Sequence, residues 1–106
     1  MSLEEFKKIL KTTGLPVAYY AFPENAAPAL PFICYLVPFT NNFGADGKVY
    51  EKINHIQVEL YTKMKNQEIE EKVENALSSF YWEKTEIYLE DEKCFEIIYE
   101  LEVENG

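Results

Sequence analysis

The chain has 106 residues, with 19 acidic side chains against ten basic ones and a net charge of −9. That length accommodates one domain, residues 1–106, and a composition 47% hydrophobic and 15% aromatic excludes a disordered acidic tail. All ten basic residues are lysines, so the arginine fork that most often reads phosphate and guanine is missing, which excludes sequence-specific nucleic-acid binding; a pI near 4.6 argues equally against anionic membranes.

Met1–Gly14 reads as a helix. Ser2 is the N-cap and Glu5 stands at the capping-box spacing. Leu3, Phe6, Ile9 and Leu10 form one apolar stripe, and Gly14-Leu15-Pro16 is a stop signal. Residues 15–31 hold four of the five prolines, so a short edge strand over Val17–Phe22 followed by extended loop is expected. A loop that long is usually functional or packed against something, with Tyr19, Tyr20 and Phe22 as its surface.

Phe32–Phe39 is a strand of β-branched and aromatic residues that ends near Pro38. Thr40–Lys48 carries two glycines, two asparagines and an Asp-Gly pair, the chemistry of a hairpin tip. Val49–Thr62 is the return strand, with Ile56, Val58 and Leu60 on one face and His55, Gln57, Glu59 and Tyr61 on the other. Its phase breaks near Ile53-Asn54, where a bulge is expected.

Asn66 opens a second helix to about Phe80, striped by Ile69, Val73, Leu77 and Phe80. Glu68, Glu70, Glu71 and Glu74 crowd its first half, where the helix dipole favours negative charge. A final hairpin turns at Glu90-Asp91-Glu92-Lys93. Thr85, Ile87 and Leu89 are assigned inward on its first strand, and Phe95, Ile97, Tyr99 and Leu101 on its second. The outward set of that last strand is Glu96, Ile98, Glu100 and Glu102, an acidic face. The predicted order is α-β-β-α-β-β, an α+β two-layer sandwich in which a mostly antiparallel sheet carries both helices on one face.

Acidity is concentrated late in the chain. Residues 1–65 hold seven lysines and six acids, a net +1, whereas residues 66–106 hold three lysines and thirteen acids, a net −10. No apolar run approaches the roughly 18–20 residues needed to span a bilayer, and MSLEEFKKIL has none of the features of a secretory signal, so synthesis in the cytoplasm is expected. In that reducing compartment Cys34 and Cys94 read as free, buried thiols.

No catalytic constellation emerges. His55 has no serine or cysteine nucleophile at a motif spacing and reads as a half-exposed strand residue. Only a pocket joining it to two carboxylates would suggest a small hydrolase or isomerase. The two cysteines are too far apart for a CxxC or zinc motif, and the acidic turn lacks the spaced ligands of a calcium loop. Neither cofactor nor metal is expected. The tip of the first hairpin is the exception: Phe39 and Phe43 place large rings where a monomer would expose them. Phe39, Asn41, Asn42, Phe43 and Asp46 are therefore the candidate contact residues for another subunit or a tube.

The stretches Gly14–Tyr19, Pro31–Ile33, Asn41–Tyr50 and His55–Tyr61, followed by a Glu-rich helix and a terminal hairpin, resemble small tail proteins of siphophages and prophages of Gram-positive bacteria. The most specific stretch is Asn41–Tyr61. The chain is most similar to the tail terminator group (tail completion, head-tail joining). That resemblance implies a non-enzymatic structural protein of the virion tail, made in the bacterial host cytoplasm. It implies a homo-oligomer, a hexameric ring in that group, that caps the tail tube, stops its polymerisation and meets the head connector. The expected partners are its own copies, the tail tube protein and a connector or neck protein. Two alternatives stand beside it: another neck or head-completion protein, and an acidic DNA mimic that inhibits a host protein. In a ring, Glu96, Glu100 and Glu102 would line the lumen and repel DNA from its wall.

Overall fold

The first helix is closed by its own side chains. Ser2 Oγ accepts the Glu5 N–H at 3.1 Å, and Glu5 Oε1 accepts the Ser2 N–H at 3.2 Å. The Ser2 N–H, and with it the Ser2 hydroxyl, bonded to the Glu5 carboxylate hold that carboxyl below its ordinary pKa. In the computed structural model, which describes residues 1–104, helix α1 spans Leu3–Lys11 and buries Phe6 and Leu10 completely. The helix ends at Lys11 with Thr12 as its C-cap; the Thr13 hydroxyl donates to the Leu10 carbonyl and accepts the Leu15 N–H, and Gly14 turns the chain away at φ 81°.

Strand β1 is Val17–Tyr19, three residues instead of the expected six. Tyr20 ends it by entering the left-handed region, at φ 68°. β1 pairs parallel with β2, Phe32–Thr40, in the register Val17↔Ile33. This pairing accounts for the long proline-rich segment. A parallel neighbour has to be reached by a crossover of about a dozen residues, and residues 20–31 supply it without a helix.

β2 runs antiparallel to β5, Ile53–Thr62, as the hairpin expected from the sequence. The irregularity lies on the other strand from the one predicted. Register slips between Leu36 and Phe39 on β2, at Pro38, which has no N–H to give the ladder. On the return side the chain breaks at Lys52, and the expected loop Thr40–Lys48 contains a ribbon of its own. β3, Phe43–Ala45, pairs with β4, Lys48–Glu51, as a separate two-stranded sheet.

Helix α2, Gln67–Ala76, is capped by Asn66, whose side chain accepts the Ile69 N–H. β6, Trp82–Leu89, and β7, Cys94–Glu104, complete the sheet in the order β1-β2-β5-β7-β6. The fold is α+β with a mostly antiparallel sheet, and the element order is α-β-β-β-β-β-α-β-β in place of α-β-β-α-β-β.

Register decides what the core contains. Ile33 and Tyr35, Ile56, Val58 and Leu60, and Ile97, Tyr99, Leu101 and Val103 share one face of the sheet. They cluster with Phe6, Leu10, Val73 and Leu77 from the two helices. The expected phase of β5 and β7 is reproduced, but that of β6 is inverted. Thr85, Ile87 and Leu89 pair with Ile98, Glu96 and Cys94, so they lie on the outer face. Trp82 and Lys84 occupy the core side, because Trp82 packs edge-on against Tyr99 and Lys84 reaches the carboxylates of α2. No helix among the described residues is long and apolar enough to cross a membrane.

Candidate functional site

The β2–β5 hairpin ends in an arm that begins as part of the sheet and leaves it. The slip at Pro38 places Phe39 opposite His55, and their rings stack at 4.3 Å with 10° between planes. Asn41 and Asn42 then fasten the base. The Asn41 N–H donates to the Ile53 carbonyl at 2.8 Å, Asn42 Oδ1 accepts the Ile53 N–H at 3.1 Å, and Asn41 Nδ2 donates to Glu102 Oε2 at 3.1 Å. Both asparagines fasten the base of the arm and remain exposed.

Beyond that base every residue from 41 to 52 is exposed. Asp46 and Gly47 make the turn with φ values of 54° and 72°, the pair of left-handed residues that a two-residue hairpin with the natural strand twist demands. Gly44 is required for a different reason. A Cβ there would stand 2.6 Å from the Lys48 carbonyl oxygen, where β3 and β4 approach across a bulge. The ribbon displays Phe43, Val49 and Tyr50, each more than half exposed. Sequence reasoning singled out Phe43 but folded Val49 and Tyr50 into the return strand. The break in alternation before Ile53 was the available signal that these residues leave the sheet.

The acidic strand face adjoins the arm's base and divides by environment. Glu100 and Glu102 are exposed. Glu100 Oε1 lies 3.2 Å from His55 Nε2, and Glu102 receives Asn41. Glu96 is a correction to the sequence reading: it points to the same face but is only 7% exposed, too covered to present charge. Its Oε2 accepts the Tyr61 hydroxyl at 2.9 Å, and the same hydroxyl stands 3.2 Å from Glu59 Oε1. A hydroxyl has one proton, so it can donate to only one carboxyl at a time. Burial pushes the Glu96 pKa up, and the hydrogen bond with Glu59 pushes it further.

His55 and the carboxylates do converge. A cleft of about 420 Å³ is lined by His55, Tyr81, Glu83, Glu100, Leu101 and Glu102. It sets one imidazole beside three carboxylates, with His55 Nε2 3.2 Å from Glu100 Oε1, and none of the lining side chains is a serine, threonine or cysteine nucleophile. Phe39 covers one face of the imidazole. Cys34 and Cys94 are free and buried, as expected; burial raises the Cys34 thiol to about 11, with Glu59 adding to it, so it stays protonated and inert at neutral pH.

A second buried carboxylate was invisible in the sequence. Glu70, on α2, is 3% exposed and meets the Lys65 and Lys84 ammonium groups at 2.7 and 3.1 Å. Burial raises its pKa, but the hydrogen bonds from the two lysines outweigh that and hold it below the ordinary value. Its Oε2 has Lys65 close by, although no donor is aligned on it.

No protein-family model matches this chain, and a search of curated proteins finds no significant match.

Proposed function

We propose that this chain is a structural phage or prophage tail protein of the terminator kind, assembling into a ring that caps the tail tube and joins it to the head connector. The observation that carries the reading is the arm. A ribbon with three large apolar side chains in solvent, anchored rigidly at its base, gains nothing as part of a monomer, because two strands alone are marginally stable in water. The arm also falls within Asn41–Tyr61, the stretch with the most specific resemblance to tail proteins. In this reading Phe43, Val49 and Tyr50 make the subunit or tube contact, and Glu100 and Glu102 face the lumen. Another neck or head-completion protein would use the same arm on a different partner.

Light scattering and negative-stain imaging of the purified chain, alone and on isolated tail tubes, test this. Rings at the tube end are expected. A stable monomer that never associates with itself or with tubes would overturn the proposal.

The His55 cleft favours a second reading, a small acid–base hydrolase. It expects hydrolysis of simple esters or glycosides that disappears in His55→Gln and in Glu100→Gln alike. Equal background turnover in wild type and both variants would eliminate it.

A further inference from the structure

The five-stranded sheet has two outer edges, β1 and β6, and the chain protects only the first. β1 is three residues long, follows Pro16, and ends where Tyr20 turns left-handed at φ 68°. The Tyr19 carbonyl is then taken by the Ala21 N–H at 2.8 Å. β6 has none of these devices. It runs eight residues without a proline and pairs with β7 from Trp82↔Leu101 to Leu89↔Cys94 with no shift of register. Alternate residues of such a strand direct their N–H and C=O groups away from the sheet, and no loop backbone among the described residues bonds to them. An edge that long and regular pairs with another chain unless something blunts it.

The side chains along this edge define its occupant. Every residue from 83 to 88 is exposed. Lys84 and Glu86, whose charges could guard the edge, are tied within the subunit to Glu70 and Glu74 and to Lys65. On the outer face Glu83 stands directly opposite Glu100, an unfavourable pairing of like charges, and Glu83 has no ion-pair partner among the described residues. The cleft beside His55 opens at the same place. Tyr81 and Glu102 join the two glutamates around it, and no lysine lines it. Further along the same face Ile87 is 40% exposed.

We infer that β6 is a docking edge for an extended segment of another protein, one that sets a lysine or arginine beside Glu83 and an apolar residue beside Ile87. The added strand pairs with the free backbone groups. Its cationic side chain enters the cleft against the Tyr81 ring and the carboxylates of Glu83, Glu100 and Glu102, and its apolar side chain covers Ile87. Glu83 and Ile87 share a face, so the two residues that meet them lie the same distance apart on the partner, in an order set by the strand direction. A second copy of β6 fits the edge poorly, because its only lysine, Lys84, is already paired. The inference concerns a partner other than the one the arm meets, and it stands whether or not the chain forms a ring.

Short threonine- and serine-based peptides provide the test. Two of them carry isoleucine and lysine at the spacing of Ile87 and Glu83, one in each order, and two more have glutamate in place of the lysine. Each is titrated into the isotope-labelled chain and followed by amide resonances and hydrogen exchange. One lysine peptide should shift the resonances of Trp82–Leu89 and protect alternate amides of that strand, with a Kd at or below about 1 mM. Its glutamate counterpart should bind roughly fivefold more weakly. Glu83→Lys, with its fold checked by circular dichroism, should bring the two to within about twofold of each other. The proposal is overturned if no peptide moves β6, or if lysine and glutamate peptides bind wild type equally. It is overturned as well if β6 amides become protected with rising protein concentration and no peptide, since a second copy then fills the edge.

Discussion

Two glutamates are buried to nearly the same extent on opposite faces of one sheet, and their carboxyls move in opposite directions. Glu70, 3% exposed on the inner side of α2, sits between two lysines and titrates below its ordinary 4.5. Glu96, 7% exposed on the outer face, has Glu59 as its charged neighbour and titrates above it. Burial opposes ionisation at both. The difference is whether a cation is near enough to offset it, and only on the core side do Lys65 and Lys84 provide one.

Removing the cations is the strongest way to break that contrast. K65M/K84M strands the Glu70 charge in a site with almost no water. Both ammonium groups are themselves about 40% exposed, so screening reduces their worth, and a loss of about 3 kcal/mol is expected in urea denaturation at pH 7. Either lysine alone should cost much less, since the other still reaches the carboxylate. Near-additive single effects that sum to under half of that value would show that Glu70 is better hydrated than its burial implies.

Glu96→Gln sharpens the contrast from the other side. The amide keeps an acceptor for Tyr61 and removes a like charge diagonal to Glu59, so the variant should gain up to about 1 kcal/mol at pH 7. A destabilised variant would mean that the buried charge is compensated by something other than Tyr61.

The two sites also shape the dependence on pH in opposite ways. Because the folded pKa of Glu96 is raised, the folded state holds that proton more tightly than the unfolded chain. Its contribution is present below 4.5 and is lost as pH climbs through the folded value. Glu70 is lowered, so its contribution is present above 4.5 and is lost as pH falls through the folded value. E96Q should flatten the decline on the alkaline side, and E70Q the decline on the acid side. Melting temperatures from pH 3 to pH 8 decide this, and a profile unchanged by either substitution would remove both assignments.

Helical spacing found the stripe Ile69–Val73–Leu77, and the dipole gave Glu68, Glu70, Glu71 and Glu74 a common explanation. Nothing local distinguishes Glu70 from its neighbours. It differs because β6 presents Lys84 to it, and alternation alone predicts the opposite phase for β6. Alternation in Glu83–Glu90 has aliphatic residues on one side and Lys and Glu on the other, so the apolar set was assigned inward. On an edge strand the neighbours decide, and α2 takes the lysine. By contrast, β5 and β7 lie centrally, one face is wholly core, and period-two patterning was sufficient there. The arm was half legible: Asp46-Gly47 announced a turn, but the ribbon on either side of it has no buried face and hence no pattern to detect.

The arm should respond least in stability and most in assembly. It shares no packing with the core, so F43S/Y50S is expected to leave the unfolding free energy within about 0.5 kcal/mol of wild type and the pH profile unaltered, since neither buried glutamate lies near it. Gly44→Ala acts on shape instead of chemistry. Its Cβ meets the backbone oxygen of Lys48, which has no rotamer to escape into, so the ribbon has to open while Phe43 and Tyr50 keep their identity. If the arm makes the contact through a fixed geometry, G44A should weaken association about as much as deleting both rings. If exposed rings alone suffice, G44A will assemble like wild type, and the ribbon's conformation is incidental to what it binds.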